Sequence, residues 1–118
     1  MEKIANLTQH PATPEQQAAG VVPIARPVSE LLTFDTLPTR EEMQERAEQL
    51  AEIVQQHGLR HGMIGGAPFF MAPLERALRS KGITPLYAFS RRESVETTEP
   101  DGSVRKTQVF RHLGFVEA

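Results

Sequence analysis

Three short stretches hold the residues most able to do chemistry: Asn6, Thr8 and His10; the pair Gly65-Gly66; and Ser90-Arg91-Arg92. Two glycines at a helix start can bring bare backbone N–H groups and the positive end of the helix dipole against a phosphate. A guanidinium grips phosphate through two parallel hydrogen bonds. Neighbouring strand residues face opposite ways, so only one of Arg91 and Arg92 can point into a given pocket. Asn6, Thr8 and His10 alternate and share one side of an extended chain. Lys106, Arg111 and His112 are further basic groups that either line the same rim or only solvate it. Each stretch also has a purely structural use. The glycines suit a tight strand-to-helix turn, Thr8 and His10 suit loop backbone or a helix cap, and Asn6 suits a sheet edge.

Other chemistries find little footing. Cysteine is absent, which excludes thiolate nucleophiles, thiolate zinc sites and disulfides. The histidines are His10, His57, His61 and His112, and no two fall at a metal-binding spacing on one helix, so neither a metal nor another cofactor is expected. There is no serine-nucleophile motif. Glu41, Glu42, Glu45 and Glu48 read as a solvated helix face rather than a catalytic pair. Gly65-Gly66-Ala67-Pro68 is neither the dinucleotide fingerprint nor the P-loop.

The elements that must position these groups alternate. Residues 3–8 read as a strand, broken at His10-Pro11. Thr13-Pro14-Glu15-Gln16 is a capping box with proline at the first helical position, and Gly20 stops that short helix. Val21–Ile24 suggests a second strand, with Pro23 placing it at an edge or ending it early. Residues 25–38 read as a connection with one helical turn at Ser29–Leu32. Thr39-Arg40-Glu41-Glu42 opens a helix over 39–57, whose apolar stripe is Met43, Ala47, Leu50 and Val54. His57, in its last turn, suits the dipole.

His61–Ile64 is a strand leading into the glycine pair. Phe70, Met71, Leu74, Ala77 and Leu78 carry a helix that Gly82 closes, with Pro73 bending it or delaying its start. Thr84–Ser90 is a strand. Ser94–Thr98 and Ser103–Phe110 flank Pro100-Asp101-Gly102 as a hairpin. The order β-α-β-α-β-α-β plus a hairpin predicts an α/β fold with a mostly parallel sheet, and a single domain over residues 1–118. The first, third and fourth strands are expected to lie side by side. Ligands of such sheets bind beyond the carboxyl ends of the strands, where the three stretches would converge.

A chain of 118 residues and 13.2 kDa can bury an ordinary core. Its 39% hydrophobic and 24% charged content is globular. No apolar run is long enough for a membrane helix, and the first residues carry no signal-like apolar segment, so a cytoplasmic protein is expected. The net charge of −2 argues against bulk duplex nucleic acid. The balance is uneven: residues 1–75 carry −5 and residues 76–118 carry +3. A basic final third could draw a small anionic ligand or only solvate a hairpin.

Asn6-Leu7-Thr8-Gln9-His10-Pro11-Ala12-Thr13-Pro14-Glu15-Gln16 resembles the opening of small CRISPR-associated Rossmann-fold proteins of the ring-nuclease type. The element order, with Gly65-Gly66 before a helix and a terminal hairpin, is similar as well. The resemblance implies a Rossmann-like three-layer fold, a homodimer, and binding of a cyclic oligoadenylate second messenger in antiviral defence. It places Asn6, Thr8, His10, Gly65 and Gly66 at the ligand-facing strand ends; Ser90, from the end of the fourth strand, and Lys106, from the returning arm, are expected from their positions as further ligand groups. Cleavage would need no metal. A ribose 2′-hydroxyl would attack its own phosphate, with His10 carrying the proton and Arg91 or Arg92 and the glycine N–H groups stabilising charge. Gly66→Val is expected to block the ligand without disturbing the fold. Two rival readings remain: a non-enzymatic phage or defence accessory that binds a partner through the helix at 39–57, and a nucleotide-processing enzyme for a small substrate.

Overall fold

The computed structural model describes residues 2–24 and 27–118. Its elements run β1 (Ile4–Leu7), α1 (Pro14–Ala18), β2 (Val21–Val22), α2 (Pro27–Leu31), α3 (Arg40–Gln56), β3 (His61–Ile64), α4 (Pro68–Ser80), β4 (Thr84–Thr98) and β5 (Val104–Glu117). They form one five-stranded sheet in the order β2-β1-β3-β4-β5. The first four strands are parallel and β5 returns antiparallel to β4. This is a mixed α/β fold with a mostly parallel sheet, and the first, third and fourth strands are neighbours as the alternation predicts.

Both capped helix starts form. The Thr13 hydroxyl accepts from Gln16 N while the Gln16 side chain accepts from Thr13 N, at 3.1 and 3.0 Å. Thr39 accepts from Glu42 N at 3.0 Å and opens α3. The α3 stripe turns inward: Ala47, Leu50, Ala51 and Val54 are buried. They meet Phe70, Leu74 and Leu78 of α4 and Ala5, Leu7 and Ile64 of the sheet in one core. The apolar face of α3 is therefore spent inside the chain. A partner docking here would have to use the groove beside it. A smaller cluster of Ile4, Val21, Met63 and Leu86, with Ala12 and Phe115 against it, lies apart from this core.

Three expectations change. The helical turn expected at Ser29–Leu32 forms as α2 but begins two residues earlier, and Val28 is buried with the following Leu32. Arg46 of α3 donates to the Thr33 carbonyl and lies 4.5 Å from the Phe34 ring centre, and Phe34 stacks edge-on against Phe69 and Phe70. Those long-range partners order a segment with no period of its own. Ala25 and Arg26 of that stretch lie outside the described residues. Secondly, α4 runs unbroken from Pro68 to Ser80 with Pro73 inside it. Thirdly, the expected strand at 84–90 and the first hairpin strand are one 15-residue strand, β4. β5 has 14 residues and continues past Phe110 to Glu117, with a bulge opposite Phe89 and Ser90.

The hairpin turn itself is as expected. The Asp101 carboxylate accepts from the Ser103 hydroxyl and backbone at 2.6 and 2.9 Å, bonds that hold its pKa below the usual carboxylate range. β3 pairs with β4 only as far as Leu86, so the remainder of the hairpin projects as an arm beyond the carboxyl edge of the sheet. The radius of gyration is 17.1 Å, against roughly 13–14 Å for a compact chain of this length. The arm accounts for the excess.

Candidate functional site

β1 sends its crossover through α1 to β2 on one side, while the crossover from β2 returns past β1 to β3 on the other. The loops after β1 and β3 therefore diverge and leave a crevice at the carboxyl ends of these strands, the place where open sheets bind ligands. A cavity of about 390 Å³ occupies it. Thr8, Gln9, His10, Gly65, Gly66 and Tyr87 are among its lining residues.

The β1 side is built by Asn6. Its Oδ1 accepts from the Thr8 backbone and hydroxyl, at 3.1 and 2.7 Å, and its Nδ2 donates to the His10 carbonyl at 2.9 Å. Asn6 thus sets the shape of the loop that presents Thr8 and His10. It positions the site and does not line it, which favours the structural use of this residue. Gln9 donates to the Thr33 hydroxyl at 2.8 Å and ties this loop to the end of α2.

On the β3 side the two glycines differ. A Cβ at Gly65 would meet only the Thr8 methyl, at 3.6 Å, an ordinary contact. Gly66 has φ +138°, a conformation that side chains rarely adopt. Gly66→Val is therefore expected to cost on the order of 1–3 kcal/mol of backbone strain, read as a lower Tm. This revises the expectation that such a change spares the fold. The α4 N-cap is Ala67, which makes no side-chain cap.

Tyr87 closes the β4 side. Its hydroxyl donates to Glu75 of α4 at 2.6 Å. Burial, then the hydrogen bond and the negative charge of Glu75, push the phenol up to about 12 from an ordinary 10.0. The folded chain thus keeps this proton at pH values where the unfolded chain loses it. The stabilisation is whole below pH 10 and is lost as pH rises towards 12. Tyr87→Phe is expected to cost about 1 kcal/mol at neutral pH. In urea melts that gap should close above pH 10; a gap that holds constant to pH 12 would contradict this.

The expected cations lie elsewhere. Arg91 and Arg92 do face opposite sides, yet both stand on the exposed arm and neither lines the cavity. Arg91 pairs with Glu93 at 3.2 Å, and Arg111 pairs with the same carboxylate at 2.9 Å. The Arg111 bond, then that of Arg91, holds Glu93 below the usual carboxylate range, and Glu93 raises the pKa of Arg111. Arg92 lies 5.3 Å from the Phe110 ring centre. Ser90 is opposite His112 where the arm begins. Lys106 is opposite Glu96, six residues farther out and roughly 20 Å from Ser90. The sequence pattern could not reveal this displacement, because it did not show β4 running on past Ser90.

Of the four histidines only His10 reaches the cavity. His57 caps the end of α3, with Nδ1 2.8 Å from the Ile53 carbonyl. His61 begins β3 at the opposite edge, and His112 packs edge-on against Phe115. Gln9, Gln16 and Tyr87 are lining residues that the sequence reading did not single out. The capping box around Gln16 was the available signal for one of them. A larger groove, about 680 Å³, lies between α3 and α4 among Met43, Phe69 and Pro73. It is away from the strand ends and the glycine turn, so the smaller crevice is the better chemical candidate.

Strand order and switch-point crevice together define an open-sheet α/β protein. Residues 2–116 match the family described as "Uncharacterized protein MJ1673 family", and the chain belongs to that family. No curated protein and no solved structure matches it. Among the described residues no helix is long and apolar enough to cross a membrane, and no cluster of three metal-binding side chains occurs.

Proposed function

We propose that this is a Rossmann-like, cytoplasmic nucleotide-binding protein whose crevice takes one unit of a cyclic oligonucleotide second messenger, and that it works as a homodimer in antiviral defence. The observation that carries the reading is the meeting of Thr8, His10, Gly65 and Gly66 around one cavity at the switch point. Backbone N–H groups at the glycine turn are the anion-binding device within reach. The three-layer reading is supported by α2, α3 and α4 on the large core, with the short α1 beside β2 on the rest of the sheet.

At about 390 Å³ the cavity lies near the lower end of the range for small-molecule sites, ~300–1,000 Å³. That suits a single nucleotide and not a whole ring. A two-fold pair of such cavities would supply the wider floor a ring needs.

Binding is the primary activity in this reading, and metal-independent cleavage is a slow accompaniment. In cleavage the 2′-hydroxyl oxygen attacks phosphorus, the bond to the leaving 5′-oxygen breaks, and a 2′,3′-cyclic phosphate forms. His10 takes the hydroxyl proton and delivers it to the leaving 5′-oxygen. No arginine lines the crevice among the described residues, so one chain offers only N–H groups to the developing charge.

The test is incubation with a panel of cyclic oligoadenylates of different ring size, followed by chromatography, beside calorimetric titration. Saturable binding of at least one ring supports the reading, and linear products lost in His10→Ala would add cleavage. Binding of none overturns it. The accessory-protein reading is favoured by one observation, the α3/α4 groove with Phe69 half exposed.

A further inference from the structure

The arm is the part of the molecule least accounted for by its own chain. From Ala88 to Leu113 nearly every residue is exposed. Phe89, Val95, Val104, Phe110 and Leu113 show 40–66% of their surface there. A two-stranded ribbon is marginally stable by itself in water, and long exposed apolar edges invite pairing.

We propose that the arm is the surface through which a second copy of this chain binds. Three features select a second copy. Register places Phe110 opposite Arg92 and Val104 opposite Thr98, an even spacing that puts both apolar residues on one side of the ribbon; Val95 lies on the other. On the Phe110 and Val104 side the charges are Arg92 and Glu96 on the outgoing strand and Lys106 on the returning strand, opposite Glu96 and 3.8 Å from it. A copy turned about a two-fold axis along the ribbon sets its Lys106 over Glu96 and its Glu96 over Lys106, so this side is complementary to itself. Its paired length, Ser90 to Thr98, is roughly 30 Å. Two interlocked arms can therefore contribute much of the ~800 Å² that each partner of a standard complex buries. The inference rests on the proposed dimer and is independent of the ligand.

The experiment is light scattering behind size exclusion across the micromolar range. The wild type should run at twice 13.2 kDa. Phe110→Asp with Val104→Asp should run at 13.2 kDa with an unchanged circular dichroism spectrum, and Val95→Asp should stay dimeric. A wild-type dimer that the double substitution leaves intact overturns the arm and spares the dimer. A wild-type monomer overturns both. Should the double variant fail to fold, hydrogen exchange on the wild type decides. Backbone amides of residues 104–111 should gain protection as protein concentration rises. Arm amides that exchange freely in a dimer whose core is protected would overturn the assignment.

Discussion

Gly65→Val is expected to give a folded protein that no longer binds a cyclic oligoadenylate. The position is well chosen because its backbone is not in the left-handed region and a Cβ there meets only the Thr8 methyl at ordinary distance. The cost to the fold should be small. The branched side chain would occupy the mouth of the glycine turn, where a phosphate has to approach bare backbone. Affinity should fall roughly a hundredfold or more, about 2.7 kcal/mol, while Tm stays close to wild type. Gly65→Ala should give an intermediate loss. Gly66 cannot serve this purpose, since strain at φ +138° would confound binding with stability. Full-strength binding by folded Gly65→Val would remove the glycine turn from the site.

The largest effect on stability is expected from Phe70→Ala. Phe70, on α4, is 1% exposed and packs edge-on against the ring of Phe34, with ring centres 5.2 Å apart. Its loss removes the link among α2, α3 and α4, the helices that cover one face of the sheet. The expected cost is about 3–5 kcal/mol, measured by urea unfolding. Phe69, the preceding residue of α4 and half exposed, should cost under half as much when changed to alanine. Equal effects at the two positions would contradict this placement of the core.

The elements with local signals were legible in the sequence. Thr13-Pro14 and Thr39 announce their helices because a hydroxyl acceptor for an unpaired first-turn amide is written within four residues. Alternation of capped helices with short apolar strands fixes a parallel sheet, and Asp101-Gly102 marks the turn. The strand-end glycines follow from the same order, which is why Thr8, His10, Gly65 and Gly66 meet as expected. The rest depends on bonding partners that residue type and period do not show. Asn6 has the composition of a ligand group, but its hydrogen bonds go to its own loop. α2 is stabilised by Arg46 and Phe34, whose partnership no short window contains. The extension of β4 through polar residues carried Arg91, Arg92 and Lys106 out of the crevice. Strand propensity alone could not set that length, since cross-strand pairing with β5 does so.

The crevice between β1 and β3 is proposed to bind a nucleotide anion. The most direct test is a nitrogen-15 nuclear magnetic resonance titration of the wild type with cyclic oligoadenylates. Saturable shifts are expected, centred on the amides of Thr8, His10, Gly65 and Gly66, with the α3/α4 groove around Phe69 and Pro73 unmoved. A ring that shifts the groove and leaves the glycine turn still, or a panel that shifts neither, would contradict it.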